Sequence, residues 1–279
     1  MSDATDHPVV SVRFWGVRGS IACPGPSWAK YGGNTSSVEV RCGEHRILLD
    51  AGSGVRLCGA SWGDEQHTTD LLLSHTHIDH IVGFPFFGPL YAKGNQVTVW
   101  SGHLKDAGGV RSVLSQFMAA PLFPVPTTAF EAEVTYRDFA AGDRFELRPG
   151  IMVRTHPLRH PNGATAYRIE FEGRSVCYVT DTEHILGEVD EALCAFLRSA
   201  DVFIYDATYT DEEFESRIGW GHSTWQQAIR IAERADIGQV VLFHHDPAHD
   251  DAFMDAVAAE AEAARPGTMV AYEGLCLTL

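Results

Sequence analysis

The feature that most constrains this chain is an apolar run, DLLLS (70–74), followed at once by HTHIDH (75–80). Four side chains that can bind metal fall within six residues: His75, His77, Asp79 and His80. Residues two apart in an extended segment point the same way, so His75 and His77 can hold one ion from the same side. After a turn, the other two can face a neighbouring ion. Because imidazole and carboxylate together are zinc ligands, the run predicts a metal site at the carboxyl end of a strand.

Two later apolar strands also end at such residues. SVCYVT (175–180) leads directly to Asp181, and QVVLF (239–243) leads to His244. Three strands thus deliver a candidate ligand at the same end, which is where α/β proteins build their sites. His244 is followed by His245, and only one of the two can point along the strand direction, so the residues alone leave this choice open.

The remaining pattern predicts alternating strands and helices. Early β-rich runs at 9–15, 36–42 and 46–50 are punctuated by Gly and Pro, as in antiparallel strands joined by tight loops. The later segments are strands at 96–100, 145–148, 151–156, 165–171 and 201–206, and helices at 109–120, 186–199, 223–235 and 250–264. No repeat and no Pro-, Gly- or Ser-rich linker divides the chain, so we expect a single domain over 1–279 with sheets inside and helices outside.

Composition excludes several classes of protein. With 37 acidic and 21 basic residues, the formal charge of −16 disfavours extended RNA or DNA as a partner. Six scattered cysteines without a C-x-x-C pair indicate reduced thiols rather than cysteine-bound zinc. No run of 18 apolar residues predicts a membrane span, and residues 1–8 lack a signal-peptide pattern, so we expect a cytoplasmic protein.

The HTHIDH run, preceded by ILLDAGSG (47–54), resembles the signature of the metallo-β-lactamase fold superfamily. The resemblance implies an α/β fold, a four-layer αβ/βα sandwich with a metal site at one sheet edge. Three later segments resemble the third, fourth and fifth motifs of the superfamily: HPNGATAYRI (160–169), YVTDTEH (178–184) and VVLFHHD (240–246). This alignment favours His160 over His156, and His244 over His245.

The resemblance implies seven metal ligands: His75, His77, Asp79, His80, His160, Asp181 and His244. His160 would bind the first metal, His244 the second, and the Asp181 carboxylate would bridge both. Asp50 resembles the buried aspartate that supports the ligands from behind. The implied cofactor is a pair of divalent ions, zinc in the first place and manganese or iron as alternatives.

GWGHSTWQQAIRIAERA (219–235) resembles the G-H-S-T segment of ribonuclease Z and related phosphodiesterases. There the histidine assists phosphodiester cleavage, so His222 is the implied catalytic residue, together with Asp79. Ser223 is predicted to cap a helix, with Gln226 completing a capping box, and that helix start would present Ser223 and Thr224 to an anionic substrate. Asp206 in DATY (206–209) stands where the same branch carries an acidic residue.

The expected substrate is small. Bacterial ribonuclease Z carries a long arm for transfer RNA after the third motif, whereas only positions 170–180 separate Ile169 from Asp181 here. With the acidic charge, this favours a small phosphodiester such as a cyclic nucleotide, attacked by a hydroxide that bridges the metals. FWGVRGSIACPGP (14–26) and YGGNTSSVEV (31–40) resemble a bacterial subgroup of metal-dependent hydrolases with no defined substrate.

Several alternatives stay open. The same two-metal centre serves lactone or thioester hydrolysis, and the superfamily also has non-catalytic and redox members. FPFF (84–87) and MAAPLFPVP (118–126) either belong to the core, roof the pocket or form a homodimer contact. Arg18 and Asn34 either touch substrate or make a surface salt bridge and a turn. The histidines without a motif are expected at the surface: His7, His45, His67, His103 and His249.

Overall fold

Two seven-stranded mixed sheets form the centre of the structure, a computed structural model that describes residues 9–63, 65–105 and 107–279. The expectations for residues 1–8, including a surface His7, lie outside the described residues. The strands are β1 Val10–Gly16, β2 Ser37–Cys42, β3 His45–Leu49, β4 Thr68–Leu73, β5 Gln96–Ser101, β6 Glu133–Asp138, β7 Arg144–Arg148, β8 Ile151–Leu158, β9 Ala164–Phe171, β10 Arg174–Val179, β11 Val202–Asp206, β12 Gln239–Phe243, β13 Met269–Val270 and β14 Cys276–Thr278.

The helices flank these sheets. They are α1 Val55–Ala60, α2 Ile78–Ile81, α3 Val110–Phe117, α4 Glu191–Leu197, α5 Asp211–Phe214, α6 Trp225–Ala235 and α7 Asp251–Ala264. Short 3₁₀ turns occur at Pro26–Trp28, Phe84–Phe86, Gly88–Tyr91, Thr127–Ala129 and Glu215–Arg217. Within the described ranges, none of these helices has the length and apolar character needed to cross a bilayer.

Both sheets combine antiparallel and parallel pairing. The first has the order β14-β1-β2-β3-β4-β5-β6, antiparallel from β14 to β3 and parallel from β3 to β6. The second has the order β13-β12-β11-β10-β9-β8-β7, antiparallel from β7 to β10 and parallel from β10 to β13. In each parallel part the carboxyl ends of neighbouring strands meet at one edge.

Three hydrophobic layers separate four layers of structure. The central one joins the two sheets and includes Phe14, Leu72, Tyr178 and Phe243. A second layer packs the first sheet against α1, α3 and the 3₁₀ turns Phe84–Phe86 and Gly88–Tyr91. A third packs the second sheet against α4, α6 and α7. Helices, sheet, sheet and helices therefore follow one another, which confirms the predicted αβ/βα sandwich.

Two helix starts differ from the prediction. The helix expected at 186–199 begins only at Glu191, because Gly187 has a positive φ of 78° and Asp190 supplies the N-cap. The helix expected from 223 begins at Trp225, and its N-cap is Thr224, whose hydroxyl accepts a hydrogen bond from the Gln227 N–H. The predicted capping box of Ser223 with Gln226 is therefore wrong, because the N-cap lies one residue later, at Thr224.

The connection between β9 and β10 is a two-residue turn. Glu172 and Gly173 form it with φ values of 49° and 76°, and both are exposed. Positive φ at both central residues is typical of the tight turns that join antiparallel strands. The segment in which the resemblance would put a long arm is thus a closed hairpin. The six cysteines are all free, as expected, and five of them are buried.

Candidate metal centre

Five strand ends converge at one edge of the sandwich. Asp50 follows β3 and His75 comes shortly after β4 in the first sheet, while the second sheet contributes Asp181 after β10, Asp206 at the end of β11 and His244 after β12. Asp50, Asp181 and His244 have positive φ angles of 61°, 54° and 63°. This region is strained for residues other than glycine, and such strain is typical of functional sites. The kink turns each side chain out of its strand at the point where the strand stops.

The first group of candidate ligands is His75, His77 and His160, with one ring nitrogen of each within 4.8 Å of the others. Nε2 of His160 lies 3.0 Å from Nδ1 of His77. His75 is buried, and its Nε2 has no hydrogen-bond partner among the described residues. Burial, together with the neighbouring imidazoles, holds the pKa of His75 well below its usual value. A neutral imidazole with a free nitrogen is the form that binds metal.

The second group is Asp79, His80, Asp181 and His244, all four buried. Nε2 of His80 lies 3.2 Å from Oδ2 of Asp79, and Nε2 of His244 lies 3.3 Å from the same oxygen. Burial raises the pKa of Asp79, but the charge of His80 and the hydrogen bond from His244 outweigh it, so the net pKa is below the usual value. Nε2 of His80 makes no hydrogen bond within the described part of the chain. An unpaired buried nitrogen costs free energy, and a cation at this group would satisfy it.

Asp181 divides its two carboxylate oxygens between the two groups. Oδ2 lies 3.7 Å from Nε2 of His75 and 3.6 Å from Nε2 of His160. Oδ1 lies 3.2 Å from Nε2 of both His80 and His244. Burial raises the Asp181 pKa, but the surrounding histidines outweigh it and hold the pKa well below its usual value. An ionised carboxylate in this position fits a bridge between two cations.

Asp50 lies behind His80 and fixes its orientation. Oδ2 of Asp50 is 2.8 Å from Nδ1 of His80 and accepts hydrogen bonds from the hydroxyls of Ser74 and Tyr178, each at 2.8 Å. Oδ1 accepts from the Ser74 N–H at 2.7 Å. Because the carboxylate accepts from Nδ1, Nε2 of His80 remains available as the metal-binding nitrogen.

His222 lies beside both groups at the open side of the cluster. Its Nδ1 is 3.0 Å from Oδ2 of Asp206 and 3.8 Å from Oδ2 of Asp181. Its ring centroid is 4.9 Å from that of His244 and 5.3 Å from that of His160. Burial lowers the pKa of His222, but the charge and hydrogen bond of Asp206 outweigh it and raise that pKa to about 9.

Asp206 belongs to the cluster but is absent from the predicted site residues. It lies with Asp181, His222 and His244 in a third group of potential ligands. Its Oδ1 accepts a hydrogen bond of 2.6 Å from the Thr208 hydroxyl. The signal was present in the sequence, because DVFIYD ends in Asp206 just as the other strands end in their ligands.

Ser223 and Thr224 are not at the surface of the cluster. Both are fully buried. The Ser223 hydroxyl lies 2.8 Å from Nδ1 of His184 and accepts a hydrogen bond from the Tyr205 hydroxyl at 2.9 Å. Thr224 donates to Asp211 and caps α6. Because their polar groups are already satisfied inside the fold, the expectation that these two residues bind substrate is corrected: they hold the start of α6.

The histidines left as alternatives lie elsewhere. Nε2 of His245 is buried 2.8 Å from the carbonyl oxygen of Ala271, on the side away from the cluster. His156 stacks on Phe196, with ring centroids 5.3 Å apart. The structure thus brings His244 and His160 into the cluster rather than their neighbours.

Some residues expected at the surface are buried. Arg18 is fully buried and donates to the carbonyl oxygens of Gly32, Asp246 and His249, so it is neither a surface salt bridge nor a substrate contact. His249 is buried against Phe253 and bonded to Glu213.

Three further histidines are half-buried. His45 is paired with Asp70, and His67 packs against Trp62. His103 is bonded to Thr76 and lies 6.4 Å from the His75 ring. These contacts across the chain give no local sequence pattern, which is why a surface position was expected.

The two apolar stretches differ: 84–87 belongs mainly to the core, whereas 118–126 lies mostly at the surface. Phe84, Phe87 and Met118 are fully buried and pack with α1 and α3. Phe86 and Leu122 remain exposed by 54% and 75%. Core packing therefore explains the first stretch, while the second is anchored by Met118 and is otherwise largely exposed.

The model of the beta-lactamase superfamily domain matches residues 45–245, more than half of the chain. The chain therefore belongs to the beta-lactamase superfamily. Ribonuclease Z of Bradyrhizobium sp. (strain ORS 278) is 26% identical, with 86% of this chain and 92% of that protein covered. The predicted superfamily, its ribonuclease Z-like branch and a metal-dependent hydrolase are confirmed.

Solved structures share the fold. YhfI of Bacillus subtilis, a metallo-beta-lactamase fold protein, superposes with a TM-score of 0.72 at 20% identity, covering 96% of this chain and 99% of that one. A diphosphatase from the PhnP family superposes with a TM-score of 0.69 at 19% identity, covering 97% and 98%. The described sandwich is therefore shared with a protein titled a diphosphatase and with one whose title names only the fold.

Proposed function

We propose that this chain is a dinuclear metallohydrolase that cleaves a small phosphodiester. The observation that carries the proposal is the position of Asp181, which turns one oxygen to each of two histidine-containing groups. His75, His77 and His160 would hold one ion, and Asp79, His80 and His244 the other. Imidazole and carboxylate donors suit zinc, with manganese or iron as alternatives.

The charge of such a centre favours an anionic substrate. Two divalent ions and a protonated His222 bring five positive charges, against four negative charges on Asp79, Asp181, Asp50 and Asp206. The balance is positive at close range, and a nearby field outweighs that of distant surface carboxylates. A phosphodiester anion would therefore be attracted to the site although the chain carries a net charge of −16.

Bound divalent ions supply Lewis acidity toward a phosphoryl oxygen and lower the pKa of water at the site. His222 is positioned to deliver a proton. A water that has released one proton to solvent would bond through its oxygen to phosphorus. As the bond to the leaving oxygen breaks, His222 would give its proton to that leaving oxygen. Asp206 orients the ring through Nδ1, which leaves Nε2 to face the reacting group. Asp79 remains ionised and accepts a hydrogen bond from the Ser20 N–H at 2.7 Å.

Two features support a small substrate. The connection after β9 is the turn of Glu172 and Gly173, which offers nothing to grip a folded RNA. The acidic surface also repels a polyanion. The relative named ribonuclease Z points toward RNA, while the neighbour titled a diphosphatase has another activity on the same scaffold. The fold alone does not decide between them.

A substrate panel tests the proposal. Protein loaded with zinc is assayed on bis(4-nitrophenyl) phosphate, a 2′,3′-cyclic nucleotide, a precursor transfer RNA, a lactone and a thioester. We expect cleavage of the first two, with two equivalents of metal by elemental analysis and weaker binding in Asp181→Asn. Cleavage of the transfer RNA alone would overturn the proposed small substrate and show that the substrate is RNA. Activity on only the lactone or thioester, or on none of the five substrates, would overturn the proposed phosphodiesterase activity.

A further inference from the structure

A short loop between α5 and α6 is tied directly to the candidate metal centre. The Gly221 carbonyl oxygen is 2.7 Å from Nδ1 of His160. The N–H groups of Gly219 and Gly221 both donate to Oε2 of Glu183, at 2.6 and 2.9 Å. Glu183 follows Asp181 by two residues, so the loop is fixed to two of the segments that carry candidate ligands. Trp220 lies between the two anchored glycines.

Trp220 is exposed although its backbone is fixed. The residue is 59% exposed, whereas large aromatic residues normally gain stability by burial. The guanidinium carbon of Arg217 lies 5.0 Å from the indole centroid and 6.0 Å from the ring centroid of Tyr209. The Tyr209 ring is in turn 6.0 Å from the ring of His222. A continuous row of contacts therefore leads from the indole to the proposed proton donor.

The side chains of Trp220 and Arg217 suit one kind of ligand group. The guanidinium lies over one face of the indole, and the residue is still 59% exposed, so a flat partner can reach it. A nucleobase stacks on an aromatic side chain whatever its sequence identity, and a guanidinium behind the ring adds a favourable charge. A cavity of about 280 Å³, lined in part by Arg159, His160 and Gly221, lies along the same loop. It gives room for part of a ligand beside His160 and the loop that carries Trp220.

We propose that Trp220, backed by Arg217, stacks the base of a nucleotide substrate beside the metal centre. The inference rests on the proposed phosphodiesterase function and narrows its substrate class to nucleotide phosphodiesters. The Gly219 and Gly221 bonds to Glu183 keep the platform at a fixed distance from the centre. An aliphatic phosphodiester would reach the same metal centre without contacting Trp220.

Ligand binding tests the platform without any turnover. Dissociation constants of adenosine 5′-monophosphate and ribose 5-phosphate are measured by calorimetry on the zinc-loaded protein. The two probes share sugar and phosphate and differ by the base. We expect the nucleotide to bind about 5- to 150-fold more tightly, the range for one stacked base. In Trp220→Ala that ratio should fall to about one, and Trp220→Phe should restore most of it.

Tyr272→Ala is the matched control, because Tyr272 is an exposed aromatic residue beside a different cavity. It should leave the ratio unchanged. Equal affinity of the two probes for the unaltered protein, or an unchanged ratio in Trp220→Ala, would overturn the platform. Those results would leave phosphodiesterase activity intact, whereas failure of the substrate panel would leave the binding ratio measurable, so the two proposals fail separately.

Discussion

Nδ1 of His222 lies 3.0 Å from Oδ2 of Asp206, a buried carboxylate at the end of β11. A carboxylate in this position fixes the tautomer and the orientation of the ring. The pair fits a proton donor with its orienting partner, and it lies next to Asp181 and His244 of the second group. Its two members should therefore act as one unit in catalysis.

Replacement of His222 tests that unit. We expect His222→Ala to lower kcat on a phosphodiester by about 10²- to 10⁴-fold, the usual contribution of a general acid, with metal content unchanged. Asp206→Asn should cost less alone and little more in the double variant, because each depends on the other. Steady-state kinetics with elemental analysis of each variant gives both quantities. Loss of metal from His222→Ala would instead make His222 a ligand.

The Asp50 carboxylate should govern zinc affinity through His80. In Asp50→Asn, the bond to Nδ1 of His80 weakens and its Nε2 is less well oriented, so zinc affinity should fall by about 10- to 100-fold. Tyr178→Phe is the matched control, since it removes one hydrogen bond to the same carboxylate and leaves the charge. Its affinity should change much less. Competition with a chromophoric chelator measures the zinc affinity of all three proteins. Equal affinities would show that Asp50 does not support the metal site through His80.

Alanine substitutions at two glycines distinguish the effect of a steric clash with the metal centre from the effect of backbone strain. A Cβ added at Gly221 would lie 2.3 Å from Nδ1 of His160, whereas one at Gly219 would meet nothing within 4 Å. Both have positive φ, 86° and 93°, so alanine costs each about 1–2 kcal/mol of backbone strain.

We therefore expect Gly221→Ala to lose metal, and Gly219→Ala to keep it with a similar loss of stability. Metal stoichiometry and thermal unfolding distinguish the two effects. Retention of full metal content by Gly221→Ala would show that His160 does not depend on this loop.

An ion pair between the sheets, with a buried Asp70 and a half-buried Arg148, sets a pH dependence of stability. Asp70 of β4 accepts hydrogen bonds of 2.8 Å from Arg148 of β7 and from the Trp100 indole. Burial raises the Asp70 pKa, but the hydrogen bonds of His45, Arg148 and Trp100 outweigh it, so its net pKa lies below the usual value. Its stabilising contribution is full above the unfolded pKa, about 3.9, and is lost as pH falls through the lower folded pKa.

Asp70→Asn should cost about 1–3 kcal/mol at neutral pH, and the difference from the unaltered protein should shrink in acid. Urea unfolding at pH 7 and at steps below pH 4 measures it. The exposed Glu131→Gln is the control and should be near neutral at every pH. A difference that is independent of pH would mean that the charge of Asp70 contributes nothing.

Strands and candidate ligands were largely predictable because both depend on local pattern. A run such as SVCYVT is apolar enough to be a buried strand, and the residue that follows it must appear at the strand end. His160 and the choice of His244 required the resemblance, since His156 and His245 have the same chemistry. Only three-dimensional packing turns one imidazole of each pair toward the cluster.

Features that depend on distant contacts were not predictable. The burial of Arg18 is determined by carbonyl groups more than two hundred residues away. Ser223 was expected at a helix cap because serine is a good N-cap, but Tyr205 and His184 bind its hydroxyl, and the cap moves to Thr224. Local propensity is a weak guide where two neighbouring residues can both fill one position.

The hairpin turn at Glu172 and Gly173 has an evolutionary consequence. It is exposed, and short exposed turns accept insertions without disturbing the elements that they join. The candidate ligands His160 and Asp181 lie at the ends of β9 and β10 that are opposite to this turn, so an insertion here would leave their geometry unchanged. Gain or loss of a segment that binds nucleic acid at this turn would change the size of the substrate and leave the candidate metal centre unchanged.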